Sequence, residues 1–319
     1  MNPTRTSHTP SGLFFDTDMG NDVDDALALL MACRSDATGE IRLLGVVSSN
    51  PNEWAVPGIQ AILRYYGYPE IPVGVCSEEI GMAAGEFTKA MAEAQGLKPG
   101  QSQDAVAVFR KALAQQPNRS VRVVATGFST NLAGLLNSGK DHKGDGIEKT
   151  GMELVREKVE FLSIMAGHYK NPSFTEFNVA NNVPAFKKAI EEWPTPVYMS
   201  GFEIGERVFS RWEHLKGVLK PENPVRMGYE VFFKNLQTAE KWDRPSWDET
   251  AMLFALEPSA GYFDLSNPVA VEVGEKGETL TSASNDLAIK RRFFLFKEQL
   301  PPEKISEILE TWYREPREE

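Results

Sequence analysis

Residues 13–30 read LFFDTDMGNDVDDALALL, and this run decides how the rest of the chain is read. Apolar Leu13, Phe14 and Phe15 lead into a turn carrying Gly20, and an Ala/Leu-rich run with helical spacing follows at once. A short apolar run, a glycine turn and a 3.6-residue period predict strand, loop and helix. The acidic loop then lies at the carboxyl end of a buried strand, where open α/β sheets place their ligands. Asp16, Asp18, Asp22, Asp24 and Asp25 put five carboxylates into ten residues. A like-charge pair at ~4 Å costs on the order of 4 kcal/mol at an effective dielectric of about 20. A hard divalent cation with oxygen ligands relieves that repulsion. The duller alternative is that these groups cap the helix and complement its dipole. Capping accounts for Asp22 or Asp24, but not for Asp16 and Asp18, which precede the turn. The pattern therefore favours a metal or catalytic site.

Working outward, Ile41 to Ser48 (IRLLGVVS), Ile71 to Val75, Ser120 to Thr126, Val159 to Met165 and Thr195 to Ser200 read as strands. Helical spacing falls between them, at Trp54 to Tyr66, Asp104 to Gln115 and Pro184 to Glu192. This alternation predicts an α/β fold: an open, Rossmann-like, mainly parallel sheet with helices on both faces. Residues 77–103, with four glycines, read as a mobile loop with some helix, suited to a lid. The last 120 or so residues break the rhythm. They show an aromatic stretch at Glu230 to Lys234, a Trp/Pro loop through Trp242 to Trp247 and a helix at Glu249 to Leu256. Val269 to Val273 and Arg292 to Lys297 read as edge or hairpin strands, a small C-terminal hairpin region, and Glu303 to Arg314 as a closing helix. The expected organisation is a short disordered lead-in over residues 1–12 and a single domain over 13–319.

The composition excludes several partners. The net charge of −11 over 319 residues argues against nucleic acid and against an anionic membrane surface. No run approaches the length of a membrane span and the N-terminus has no apolar leader, so a cytoplasmic location is expected. Cys33 and Cys76 show no metal-ligand spacing, and Cys33 reads as a buried thiol.

Further polar groups sit at strand or loop ends: Asn52, Thr126-Gly127, Glu176-Phe177-Asn178 and Trp247-Asp248. Each has a local explanation, a turn for Asn52, tight packing for Gly127, a helix cap for Asp248. Together with DTDxGxDxDDAxAL they resemble the calcium-dependent, inosine-uridine-preferring nucleoside hydrolases, from Phe14 to about Leu256. The resemblance implies a Ca²⁺ at the strand ends that binds ribose diols and the attacking water. By matching position it implies Asp18, Asp25, Asp248 and the Thr126 carbonyl as metal ligands, with Asp18 also the general base. Asp24, Asn52, Glu176 and Asn178 are implied to bind ribose hydroxyls, and Asp16 to support the loop. It also implies a ribonucleoside substrate and a homo-oligomer, dimer or tetramer. The chemistry is coherent, because cleaving an N-glycosidic bond builds positive charge on the sugar, which a crowd of carboxylates stabilises.

Two departures stand out. The acidic loop is two residues longer than the simplest family pattern, which leaves Asp22 without a role or as a substitute for Asp24. Pyrimidine-tolerant members carry a His before the late Asp, whereas Trp247 occupies that place here. This resembles the purine-specific branch, where a Trp stacks on the base, so purine ribosides are expected. In the shortened loop after Gly167, Asn171 is the candidate for the ribose 5′-hydroxyl. Two rival readings remain at this point. A haloacid-dehalogenase-type phosphatase would use Asp16 as nucleophile with Mg²⁺, and a ribose- or nucleoside-binding protein would keep the fold without turnover.

Overall fold

The computed structural model describes residues 10–78, 85–236, 241–284 and 291–314. Through the first two-thirds, strands and helices alternate. The order is β1 (Ser11–Thr17), α1 (Asp24–Ala37), β2 (Ile41–Ser48), α2 (Ala55–Tyr65), β3 (Val73–Val75), α3 (Glu86–Ala94), β4 (Gln103–Asp104) and α4 (Ala105–Ala114). Then come β5 (Val121–Ala125), α5 (Thr130–Asn137), α6 (Gly151–Lys158), β6 (Val159–Met165), α7 (Phe177–Asn181), α8 (Val183–Glu192) and β7 (Val197–Ser200). The remainder holds α9 (Phe202–Gly205), β8 (Phe209–Ser210), α10 (Trp212–Val218), α11 (Pro224–Leu236), β9 (Arg244–Pro245) and α12 (Trp247–Leu256). It ends with β10 (Asp264–Leu265), β11 (Val269–Val273), β12 (Thr279–Ala283), β13 (Arg291–Leu295) and α13 (Pro302–Glu310).

Nine strands form one sheet in the order β10-β13-β7-β6-β5-β1-β2-β3-β4. Every neighbouring pair is parallel except β10 with β13. Helices cover both faces and divide the core in two. One core packs α1, α2, α11 and α12 against the sheet, and the other α4, α5, α6 and α8. The mainly parallel α/β architecture is thus the one read from the strand–helix alternation. α1 and α12 are buried on nearly all sides and pack on each other, as helices apolar all round must.

Several expectations need correction. Residues 1–9 lie outside the described residues, but Ser11 and Gly12 already belong to β1 and pair with Ile41 and Arg42. Residues 79–84 of the expected lid also lie outside the described residues. Of the rest of that segment, 86–94 form the packed helix α3, with Phe87 and Met91 buried beside α2 and α11, and 95–102 carry no regular structure. The aromatic stretch at 230–234 is the end of the longer α11, whose Tyr229 and Phe233 are buried. β11 and β12 do form an antiparallel hairpin. β13, in contrast, joins the main sheet parallel to β7. Its leading arginines suggest an exposed edge, yet Arg291 is buried and donates to the carbonyls of Ile190 and Glu191 at the end of α8.

Candidate active site

From β1 the chain adds β2 on one side and later returns to place β5 on the other. That reversal opens a crevice at the carboxyl ends of β1 and β5. Asp16 pairs with Ala125, and the Thr126 N–H donates to the Asp16 carbonyl at 2.8 Å. Gly127 lets the two ends approach: a Cβ there would stand 2.4 Å from Ser49 Oγ and 2.6 Å from the Asp18 nitrogen. Gly20 turns the acidic loop at a φ of +122°, a conformation that favours glycine.

Two helix N-termini meet at this crevice. Asp24 and Asp25 occupy the first turn of α1, and Asp248 the first turn of α12. One carboxylate oxygen from each of the three lies within 4.8 Å of the others. The Ser246 side chain makes no cap for α12. Asp24 Oδ2 does so instead, accepting from the backbone N–H groups of Trp247 at 3.1 Å and Asp248 at 3.2 Å. These donors have no partner within their own helix, so an acid from another helix both satisfies them and complements the dipole. Asp25 Oδ1 accepts from the hydroxyls of Thr17 and Thr126.

Asp18 Oδ2 and Asp25 Oδ2 are buried and have no hydrogen-bond partner among the described residues. Burial raises the pKa values of Asp18, Asp24 and Asp248 well above the carboxylate range, and the neighbouring carboxylates add to it. Burial pushes Asp25 up to about 6 against its hydrogen bonds. Orphaned oxygens on buried, mutually repelling carboxylates fit a hard cation with oxygen ligands.

A cavity of about 290 Å³ opens onto this cluster, and Asp18, Asp24, Thr126, Glu176, Asn178, Trp247 and Asp248 line it. Glu176 caps α7, accepting from the N–H groups of Gly167, Asn178 and Val179, and burial still pushes it up to about 7. Asn178 Nδ2 donates to the Thr126 carbonyl at 2.8 Å, which leaves that oxygen one lone pair for another ligand.

Four expected site residues, Asp16, Asp25, Asn52 and Asn171, stand outside the cavity lining. Asn52 makes the local turn, its Oδ1 accepting from the Trp54 N–H, while its buried Nδ2 lies beneath Gly20 without a partner among the described residues. Asn171 is exposed and makes a local turn: its N–H donates to His168 Nδ1 at 3.1 Å and its Oδ1 accepts from the Ser173 N–H at 3.1 Å. Asp16 is 1% exposed, with Oδ1 held by Asn131 Nδ2 at 2.8 Å. Its buried Oδ2, like those of Asp18 and Asp25, has no hydrogen-bond partner among the described residues.

Other groups escaped the sequence reading. Arg244 pairs with Asp22 through Nε at 2.9 Å and through Nη2, which gives the extra acid of the long loop a cationic partner beside the carboxylate cluster. The guanidinium lies 5.3 Å from the centre of the Trp247 ring, and Phe202 packs on the same ring at 5.3 Å. Asn50 Nδ2 donates to the Asp18 carbonyl at 3.3 Å. The signal available for Arg244 was indirect: a partly buried Asp22 without a metal role requires a cation, and an arginine precedes Trp247 by three residues.

The model of the family described as inosine-uridine preferring nucleoside hydrolase matches residues 13–302. The chain belongs to this family. It is an N-ribosyl hydrolase that cleaves the N-glycosidic bond of ribonucleosides, the family is metal-dependent, and the aspartate cluster is able to hold the metal. Solved structures of low identity share its fold. A plant nucleoside hydrolase is 17% identical with a TM-score of 0.72, covering 96% of this chain and 100% of that one. A purine-preferring ribonucleoside hydrolase from Gardnerella vaginalis is 18% identical with a TM-score of 0.69, over 95% and 98% of the two chains. An inosine-uridine preferring nucleoside hydrolase from Bacillus anthracis is 15% identical with a TM-score of 0.68, over 95% and 98%. A search of curated proteins gives no match. Among the described residues no helix is long and apolar enough to cross a membrane.

Proposed function

We propose that this nucleoside hydrolase uses Ca²⁺ and prefers purine ribosides, with Asp18 as general base. The observation that carries the reading is the meeting of Asp24, Asp25 and Asp248 at one point of a cavity that Trp247 also lines. Asp18, Asp25 and Asp248 would hold the cation together with the Thr126 carbonyl. Of the four aspartates, Asp24 is the one whose oxygen already caps α12, which leaves it to orient a ribose hydroxyl. A bound Ca²⁺ supplies a charge that holds the carboxylates together and coordination places for hydroxyl and water oxygens.

The chain's own residues do the rest. Glu176 and Asn178 bind the ribose hydroxyls, and Asn52 supports the loop from beneath. As the C1′–N bond lengthens, positive charge develops on the sugar, and the surrounding carboxylates stabilise it more than they stabilise the ground state. Asp18, with one oxygen free, takes a proton from the water that attacks C1′.

The purine preference rests on the far side of the cavity. No histidine lines it among the described residues, and His168 instead sits 3.2 Å from Glu203 behind Phe202. Trp247 and Phe202 offer an aromatic wall to a large planar base. The Gardnerella neighbour described as purine-preferring agrees with this choice. The family resemblance also supports a dimer or tetramer, and the net charge of −11 a protein that binds neither nucleic acid nor an anionic membrane. Light scattering checks the first and a nucleic-acid shift assay the last. The single domain over 13–319 is supported by a main sheet that draws strands from Ser11 to Leu295.

The deciding experiment measures release of free base and ribose from a panel of purine and pyrimidine ribonucleosides, with and without chelator. Purine ribosides are expected to lead in kcat/KM and chelator to stop turnover. A folded, calcium-loaded protein with equal rates on inosine and uridine would remove the purine argument, and one with no turnover would remove the mechanism.

A further inference from the structure

The cavity presents an electrostatic oddity. Its lining holds Asp18, Asp22, Asp24, Glu176 and Asp248, and against them a single cationic side chain among the described residues, Arg244. The guanidinium is partly buried, with 24% of its side chain exposed. One edge, Nε and Nη2, is fixed on the Asp22 carboxylate. The other edge, Nη1 with the second Nη2 proton, has no hydrogen-bond partner among the described residues. Phe232 at 5.2 Å and Trp247 at 5.3 Å flank the guanidinium plane and hold it in place. The Trp247 indole N–H, the other nearby donor, is already taken by the Phe202 carbonyl at 3.0 Å.

We infer that Arg244 stabilises the departing base and selects 6-oxopurines, with Asp22 as the residue that positions it. This rests on the hydrolase reading above and adds to it a leaving-group partner. An Arg fork with two N–H groups matches an edge carrying two acceptors, as N7 and O6 of a 6-oxopurine do. A 6-aminopurine sets a donor beside N7 and loses half of the match. Arginine stays charged, so it acts here by hydrogen bonding and charge and not by giving up a proton.

Atoms and electrons balance in this step. The C1′–N9 bond breaks with its electron pair going to the base, and the resulting negative charge spreads toward N7 and O6, where Arg244 meets it. The water oxygen bonds to C1′, one water proton goes to Asp18, and the base takes its own proton from solvent on release. The two extra residues of the acidic loop acquire a purpose in this scheme: they bring Asp22 across to Arg244.

The test compares inosine, adenosine and p-nitrophenyl β-D-riboside in the wild type and in Arg244→Gln and Arg244→Lys. The nitrophenolate leaves without help, so it reports on the sugar-binding carboxylates alone and shows that the variant is folded. Arg244→Gln is expected to lower kcat/KM on inosine by about 10²-fold, the typical loss of one preorganised charge-stabilising donor, and on the nitrophenyl riboside by less than about tenfold. Arg244→Lys, which keeps the charge and loses the fork, should fall between the two and lose most of the preference for inosine over adenosine. Equal losses on inosine and the nitrophenyl riboside would overturn the inference and make Arg244 a loop anchor. A wild type that cleaves inosine no faster than adenosine would overturn it as well. A wild type that cleaves the nitrophenyl riboside and no nucleoside overturns the inference while sparing the sugar chemistry. One that cleaves none of the three overturns both readings.

Discussion

The carboxylate floor of the cavity and its aromatic–cationic wall are held in place by different means. The floor is backbone-built: Asp18 follows β1, Thr126 follows β5, and Asp24, Asp25 and Asp248 ride on the first turns of two buried helices. The wall is side-chain-built, as Arg244 and Asp22 meet across 222 positions of sequence, with Trp247 and Phe202 beside them. A group fixed by a sheet and a helix start has little freedom to relax when its neighbour changes. A group fixed by an ion pair and ring contacts can be moved by one substitution. Floor substitutions should therefore act on chemistry with all substrates, and wall substitutions on the choice among them.

The harshest way to break this contrast is Asp18→Ala, which removes base and cation ligand together. We expect kcat to fall by about 10³-fold or more on every riboside, in steady-state assays at saturating substrate. A variant with near-full activity, or one that loses activity on purines alone, would place Asp18 on the wall side of the comparison.

The floor should also declare itself through pH and metal. Burial raises Asp25 to about 6 and lifts Asp18 and Asp248 well above the carboxylate range, whereas in the unfolded chain these acids titrate at about 4. Above about pH 4 the metal-free folded state binds more protons than the unfolded state, so its stability falls as pH rises through 6 and beyond. A tenfold difference in proton affinity between the folded and unfolded chain is worth about 1.4 kcal/mol, so the loss should reach a few kcal/mol. A cation that binds the ionised carboxylates restores it. Thermal melts with calcium or with chelator should thus differ more at pH 8 than at pH 5. An equal gain at both pH values would mean that these acids are not the ones that the cation serves.

On the wall, Trp247→Ala should lower kcat/KM for inosine by roughly tenfold, the scale of one lost base–aromatic contact. Uridine should change less. An equal loss on both would show that Trp247 acts through the floor, by way of the α12 start that Asp24 caps.

The floor and Trp247 were legible in the sequence and the rest of the wall was not, for a physical reason. Acids crowded between a strand and a helix start have few explanations, and the strand–helix alternation already fixes which ends converge. Asp248 followed from the motif order and lies where that order implied. The partnership of Asp22 with Arg244 has no local signature, because Asp22 lies in a loop, Arg244 opens the two-residue β9, and nothing in spacing links them. α11 was obscured by its aromatic end, and the depth of Arg291 by its charge. Family membership secures the reaction, whereas roles of individual side chains had to be argued from their contacts.

Asn171 offers the mildest and most discriminating comparison. Position in the loop after Gly167 suggested a ribose contact, but the loop folds back on itself. The imidazole of His168 accepts the Asn171 N–H, and the side-chain amide closes a turn with Ser173. The residue is neither part of the sheet-held floor nor among the side chains of the wall. Asn171→Ala should accordingly change kcat/KM by less than about threefold on inosine and uridine alike, with a loss of stability no larger than about 1 kcal/mol for one exposed turn bond. A rise in KM of tenfold or more, with kcat unchanged, would mean that this loop swings over the sugar once it binds. The cavity would then have a moving third side, and the contrast between a rigid floor and an adjustable wall would have to be redrawn around it.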